Sequence, residues 1–117
     1  MWPHLQGLTD DEYLWEPVPG CWSLRPRDQA RTRLVRGAGD LVLEDDRNPP
    51  PPAPVTTIAW RMVHLIVPVF GIRTASHFGG APVSWPTTVL PGTAADGLAM
   101  LDAAYRAWID GLARAGA

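Results

Sequence analysis

The stretch that decides the fold runs from Thr57 to Phe78 and reads TIAWRMVHLIVPVFGIRTASHF. Within it, Arg61 and Arg73 bracket an apolar run in which His64 is the only polar side chain. A bilayer crossing needs about 20 apolar residues, so this shorter run predicts the central helix of a soluble core. An imidazole buried there would need a hydrogen bond or a metal, because an unpaired buried polar group costs about 1–3 kcal/mol.

Two faces of this predicted helix are apolar. The first recurs at three- and four-residue steps and carries Ile58, Met62, Leu65, Val69 and Ile72. The second carries Trp60, His64 and Val67 or Pro68. A helix that is apolar on both faces is expected to be buried nearly all round. Pro68 has no amide hydrogen to donate to the His64 carbonyl, so we expect a kink there, with Gly71 adding to it.

Composition bounds the class of protein. The 117 residues suit one domain, which we take as 1–117 and expect to be incomplete. A hydrophobic content of 46% and a net charge of −2 exclude a chain that is disordered throughout. The pI near 5.8 argues against a nucleic-acid partner. A single cysteine, Cys21, and an N-terminus without signal-peptide features predict a cytoplasmic protein with no membrane partner.

Shorter signals place the remaining elements. A capping box from Thr9 to Glu12 predicts a helical turn at 10–15, and residues 2–8 resemble the end of a helix. Cys21–Leu24 is expected to be extended, and the segments 33–36 and 41–44 around a glycine-bearing connection predict a β-hairpin. The proline-rich residues 45–54, which include NPPPPAP, predict a stiff connection.

A second long helix is predicted near the C-terminus. Thr93 is its expected N-cap, with Asp96 at the capping-box position, and the helix should run to Arg114. Its apolar stripe consists of Leu98, Leu101, Tyr105, Trp108 and Leu112. This spacing is typical of an amphipathic helix with one buried face.

Candidate chemistry is sparse. The histidines His4, His64 and His77 could meet at one metal, but no pair has the i, i+4 spacing of two ligands on one helix face. Cys21 would be nucleophilic only if a base or cation lowered its pKa. Five arginines fall close together, at positions 25, 27, 31, 33 and 36. They indicate a solvated face neutralised by residues 44–46 or, alternatively, a site for an anionic ligand or a thiol cofactor.

Two runs carry a family resemblance: GLTDDEYLWEPVPGCWSLRPR at 7–27 and TTIAWRMVHLIVPVFGIRTASHFGG at 56–80. Together they resemble the DinB-like superfamily of four-helix bundles, which is related to mycothiol-dependent maleylpyruvate isomerase. The resemblance covers roughly residues 7–110. It implies a mainly α fold, an up-down DinB-like bundle lacking the last helix and part of the first, with a small β-hairpin insertion.

The resemblance also implies a metal site. In that family the pattern W-R-x-x-H-L carries the first of three ligands of a divalent metal, which here is His64 and implies Zn²⁺ or Ni²⁺. The other two ligands come from an H-x-x-x-H motif on the last helix, and this sequence ends before any such motif. One ligand of three cannot hold a catalytic metal, which needs about three protein donors.

Two functions follow as expectations. The first is a DinB-like, metal-dependent protein that in complete form is a thiol-dependent transferase or isomerase, acting on a small-molecule substrate with a low-molecular-weight thiol. The alternative is a non-catalytic helical binding or partner-docking module in which His64 is a structural core residue. A bundle lacking one helix exposes apolar faces, so we expect a homo-oligomer as well. A third reading, DNA binding, is opposed by the acidic pI.

Overall fold

The computed structural model describes residues 7–45, 55–79 and 83–115, and it is mainly helical with a small three-stranded antiparallel sheet. The mainly α class is therefore confirmed. The helices are α1 Asp10–Tyr13, α2 Ile58–His64, a π-helical segment Leu65–Ile72, α3 Arg73–Phe78 and α4 Ala94–Ala115. The strands are β1 Leu24–Pro26, β2 Leu34–Arg36 and β3 Leu41–Asp45. Short 3₁₀ turns occur at Arg27–Gln29 and Trp85–Thr87.

The central helix begins where its cap predicts. The Thr57 hydroxyl accepts a hydrogen bond from the Trp60 amide at 3.2 Å, which satisfies one of the free amides of the first turn. The helix then continues from α2 through the π-helical segment into α3 and ends before Gly79, whose φ of 81° favours glycine. Around Pro68 the sequence predicted a kink, and the structure accommodates the proline with the wider π-helical turns.

The buried face of the central helix differs from both predicted faces. The residues that it buries are Ala59, Met62, Val63, Ile66 and Val67, while Ile58 and His64 are exposed. The prediction that the helix is buried nearly all round is wrong, and so is the prediction of a buried imidazole. Nearly every residue of the run is apolar, so its periodicity could not show which side meets the core.

The length of the helix also changes the membrane argument. With its flanking turns the helix Ile58–Phe78 has 21 residues, and by length and composition alone it is long and apolar enough to cross a membrane. The prediction counted only the residues between Arg61 and Arg73, and it therefore underestimated the length of the helix. Core helices of soluble proteins pass the same test, and less than a third of the most apolar part of this one is buried.

The predicted hairpin is confirmed, and a third strand joins it. β2 and β3 are antiparallel, with Leu34 opposite Asp45 and Arg36 opposite Leu43. β1 pairs with the other side of β3, so the strand order is β1-β3-β2. The extended piece predicted at Cys21–Leu24 joins the sheet at its end, where the Ser23 carbonyl accepts from the Glu44 amide of β3 at 3.1 Å. Before that, Trp22 forms an isolated parallel bridge with Thr56.

α1 is tied to the start of α4. Its capping box is confirmed, since the Glu12 amide donates to the Thr9 hydroxyl and the Thr9 amide donates to the Glu12 carboxylate. The helix ends at Tyr13, earlier than expected, and the buried Tyr13 hydroxyl donates to the Pro91 carbonyl at 2.9 Å. The Asp10 carboxylate accepts from the Ala94 amide at 2.8 Å and so caps α4 from outside.

α4 has the predicted extent and one apolar face. Its cap is confirmed, because the Asp96 amide donates to the Thr93 hydroxyl at 3.2 Å. Leu101 is buried, but Leu112 is 45% exposed, so the predicted stripe reaches too far. Near that end Gly111 is buried instead, against Phe78. The predicted helix end at 2–8, His4 and most of the proline-rich connection at 45–54 lie outside the described residues.

Candidate functional site

A cleft of about 370 Å³ lies between the central helix and α4. The central helix contributes Ile66, Val67, Gly71, Thr74 and Ala75 to its wall. From α4 come Met100, Ala103, Ala104 and Ala107, and the segment between the helices adds Gly79, Val83 and Thr88. Among the described residues of the lining none carries a charge, and the hydroxyls belong to the two threonines.

Small residues line this cleft on both helices. At Gly71 an added Cβ would lie 2.7 Å from the Ile66 carbonyl oxygen and 3.1 Å from a methyl of Val83, so this position is closely packed and has no room for a side chain. On the facing helix, Ala103, Ala104 and Ala107 place single methyl groups along the cleft. The width of the cleft therefore depends on the alanines of α4.

Thr74 lines the cleft, but its hydroxyl oxygen is inaccessible to water and so is not exposed to the open space. That oxygen has no hydrogen-bond partner in the part of the chain that the structure describes. The Thr88 hydroxyl, in contrast, is used, because it donates to the Ser84 carbonyl at 2.7 Å.

His64 lies on the surface, outside this cleft. Its imidazole stacks on the Trp60 indole, with centroids 5.3 Å apart and planes inclined by 8°. The two rings line a shallow depression of about 470 Å³ with Thr56, Arg61 and Leu65. No hydrogen bond joins the imidazole to another described residue. Because the side chain is exposed, water can satisfy its ring nitrogens.

The described residues do not fit the three-ligand metal site that the family resemblance implies. Across residues 7–45, 55–79 and 83–115 there is no group of three side chains of the His, Cys, Asp or Glu type that could hold a metal. His77 stands more than three turns beyond His64 on the same helix, roughly 15–20 Å along its axis. Its imidazole instead meets the Trp108 ring edge-on, with centroids 6.2 Å apart.

Comparison of the chain with protein-family models, curated proteins and solved structures finds no match. The candidate site therefore rests on its own geometry. The DinB-like resemblance stays a prediction.

Most of the clustered arginines bond to their own sheet. Arg25 bridges Glu16 at 2.9 Å and Glu44 at 2.7 Å, and Arg36 pairs with Asp45 at 2.6 Å. The hydrogen bond from Arg25 holds the pKa of Glu16 below its usual value. This pairing favours the interpretation as a neutralised face over an anion site.

Glu44 organises this face from inside. Its side chain is 1% exposed and accepts hydrogen bonds from Arg25 Nε at 2.7 Å, the Ser23 amide at 3.1 Å and the Arg31 amide at 2.8 Å. The Trp60 indole donates to its backbone carbonyl, which joins the sheet to α2. A buried carboxylate with this many donors is a structural element that fixes the loop between β1 and β2.

Cys21 lacks the surroundings of a nucleophile. The side chain is buried, and its thiol donates weakly to the Glu16 carboxylate at 3.8 Å. Burial, with the negative charge of Glu16, raises the pKa of the Cys21 thiol. Since the thiolate is the reactive form, this raised pKa makes the cysteine less reactive at neutral pH than an ordinary thiol.

Sequence reasoning did not predict the cleft, and of its lining residues it named only Val67, on an apolar face, and Gly71, as part of a kink. The available signal was a run of alanines at helical spacing on α4, at positions 103, 104 and 107, opposite a glycine in an apolar helix. Alanines are also common on exposed helix faces, so the pattern alone did not distinguish a cleft wall from a solvated surface.

Proposed function

We propose that this chain is a non-catalytic helical module that binds a small molecule in the cleft between the central helix and α4. The observation that carries the proposal is the cleft itself, an apolar space of about 370 Å³ between two helices. Ligand sites in proteins are mostly apolar spaces of about 300–1,000 Å³ with few polar groups.

The chemistry of the lining favours binding over catalysis. Proton transfer needs a histidine, carboxylate, lysine or comparable group within hydrogen-bond reach of the reacting atoms, and the described residues of the cleft wall offer only threonine hydroxyls. A threonine acts as a nucleophile only beside a base, and none of these described residues has a titratable side chain. Of the two functions expected from the sequence, the geometry therefore supports the binding module, with His64 on its surface rather than in its core.

Titration with the neutral dye N-phenyl-alpha-naphthylamine tests the proposal, because its fluorescence rises in apolar sites. We expect saturable binding of one dye per chain. Ala107→Leu, which places a larger side chain in the cleft, should abolish it. Ala113→Leu is the matched control, since Ala113 is another exposed alanine of the same helix and does not line the cleft. Dye binding that survives Ala107→Leu, or no binding at all, would exclude the cleft as the site.

A second proposal is kept for the surface around His64. The chain would then be a DinB-like bundle that uses a divalent metal, Zn²⁺ or Ni²⁺, and that in complete form is a thiol-dependent transferase or isomerase. The exposed imidazole of His64, fixed by its stacking on Trp60, supports it as a ligand that further donors could reach. The described residues do not complete that ligand set, so no reaction step is derived from it.

Metal analysis of the purified protein tests this second proposal. Stoichiometric Zn²⁺ or Ni²⁺ that is lost in His64→Ala and kept in His77→Ala would support it. The same metal content in both variants, or a folded protein without metal, would contradict it.

A further inference from the structure

The outer side of α4 carries a row of charges whose sign alternates. Four charged residues follow one another at four-residue steps: Asp102, Arg106, Asp110 and Arg114. This spacing places them in one row along the surface of the helix. Arg106 bridges Asp102 within the helix at 2.9 Å, and its side chain is still 74% exposed. Asp110 and Arg114 are exposed and form no ion pair with another residue that the structure describes, so they are available to a partner.

Two exposed aliphatic side chains lie beside this row. Ile109 is 41% exposed and Leu112 is 45% exposed. Because Ile109 follows Arg106 by three residues, the two side chains are neighbours on the helix surface. Leu112 follows Ile109 by three residues and extends the apolar strip in the same way. We call the four charged residues and these two aliphatic residues the α4 patch. An apolar centre with a charged border is the composition of a protein interface.

The order of the charges makes the α4 patch complementary to itself in one orientation. When two copies of α4 run antiparallel and cross at Trp108, Arg106 of each copy faces Asp110 of the other. In the same register, Asp102 of each copy faces Arg114 of the other. A two-fold axis repeats each pair, so four contacts between opposite charges form. In a parallel arrangement every charge would face its own equivalent and be repelled, so the pattern selects the antiparallel one.

The same register brings aliphatic side chains to the centre of the contact. Ile109 is one residue from the crossing point, so the Ile109 side chains of the two copies meet near the two-fold axis. Apolar centres that are surrounded by polar contacts supply most of the binding energy of an interface. The patch extends over residues 102–114, which is roughly 18 Å of helix. A contact of this length is smaller than a standard interface, so the complex should be weak and reversible.

We infer that the α4 patch is an interaction surface for a second copy of this chain, which pairs α4 with α4 in antiparallel order around a two-fold axis. The patch shares no residue with the described lining of the cleft, so the inference does not depend on the proposed binding function. The exposed side of the central helix fits a second copy less well. Its charges, Arg61 and Arg73, have the same sign, and Ile58–Phe78 contains no carboxylate.

Analytical ultracentrifugation from about 1 µM to about 1 mM tests the inference, because weak interfaces dissociate in this range. We expect the parent chain to shift from monomer to dimer as its concentration rises. Arg106→Glu places a carboxylate opposite Asp110, and Asp110→Arg places a guanidinium opposite Arg106. Each variant should dimerise at least about tenfold more weakly than the parent chain. Arg33→Glu makes the same change of charge at an exposed position outside the patch, and it should dimerise like the parent chain.

A mixture of the two charge variants is the sharpest test. In a mixed pair, the new carboxylate of one chain faces the new guanidinium of the other. The unchanged Asp110 of the first chain and the unchanged Arg106 of the second also face each other. Opposite charges therefore meet at every position again. We expect an equimolar mixture to form a heterodimer at concentrations where each variant alone is a monomer.

The inference would be overturned by a parent chain that stays monomeric up to about 1 mM. It would also be overturned by charge variants that dimerise as tightly as the parent chain, because the contact would then lie elsewhere. A mixture that stays monomeric would refute the antiparallel pairing. Circular dichroism checks that the variants fold. If one does not, amide NMR shifts of the parent chain on dilution decide, with changes expected in residues 102–114 and changes confined to the sheet refuting the inference.

Discussion

Gly71→Ala is the substitution that the structure constrains most sharply near the cleft. The new Cβ would lie 2.7 Å from the Ile66 carbonyl oxygen, closer than such atoms approach in folded proteins. It would also lie 3.1 Å from a methyl of Val83. The Ile66 oxygen belongs to the backbone of the π-helical segment, so a side-chain rotation cannot relieve the contact. The helix itself would have to shift.

Two opposing terms set the magnitude. Alanine is favoured over glycine in a helix interior by about 1 kcal/mol, and this term alone would stabilise the variant. Insertion of a methyl group into a packed site typically costs about 1–3 kcal/mol, and a backbone contact puts this site at the upper end of that range. We therefore expect Gly71→Ala to lower the free energy of unfolding by about 1–2 kcal/mol. For a chain of this size the melting temperature should fall by roughly 4–8 °C.

Urea unfolding followed by tryptophan fluorescence measures the change. Gly92→Ala is the matched control, because its added Cβ would meet only a Leu41 methyl at an ordinary 3.5 Å. Its free energy of unfolding should stay within about 0.5 kcal/mol of the parent chain. A Gly71→Ala protein that is more stable by the full helix-propensity gain would refute the close packing described for the π-helical segment.

Three further predictions concern charged groups and the thiol. Glu44→Ala removes the carboxylate that accepts hydrogen bonds from the Arg25 side chain and the Arg31 amide. We expect it to lower the free energy of unfolding in urea titrations by about 3 kcal/mol. A change below about 1 kcal/mol would contradict the buried pairing. Because the pKa of Glu16 is lowered in the folded state, its stabilising contribution is present above the unfolded value of about 4.3 and is lost as the pH falls below it. Glu16→Gln should thus flatten the acid limb of a stability-versus-pH curve, whereas an unchanged limb would argue against the ion pair. In the folded protein, the Cys21 thiol should react with Ellman's reagent at neutral pH at least about tenfold more slowly than the thiol of glutathione does. In the unfolded protein the two rates should be similar. If the folded protein reacted as fast as glutathione, the thiolate would be accessible.

Features that depend on residues close together in the sequence were predicted correctly. The capping box at Thr9, the caps at Thr57 and Thr93 and the hairpin around residues 37–40 depend on side chains and backbone a few residues apart, and all of them are present. Such features need no knowledge of the rest of the fold, because the groups that form them are neighbours in the chain.

Long-range packing is where sequence reasoning failed. The apolar run of the central helix offered several equivalent faces, and the choice of one depended on where α4 lies. His64 was assigned to the core because its neighbours in sequence are apolar, yet it projects from the side that α4 does not cover. A uniform run carries too little pattern to orient a helix.

The cleft depended on information of the same kind. Its width depends on the alanines of α4, and their positions in the sequence have no meaning until the two helices are adjacent. The π-helical turns before Thr74 were predicted only as a kink at Pro68.

The most direct test of the account is to locate N-phenyl-alpha-naphthylamine on the isotope-labelled protein by intermolecular nuclear Overhauser effects. Binding in the cleft predicts contacts between the ring protons and the methyl groups of Val67, Val83 and Met100, which line it from three sides. Contacts confined to the exposed apolar side chains of Trp15 and Ile58 would contradict the claim that the cleft is the binding site. These two residues line a different depression, beside the first turn of the central helix.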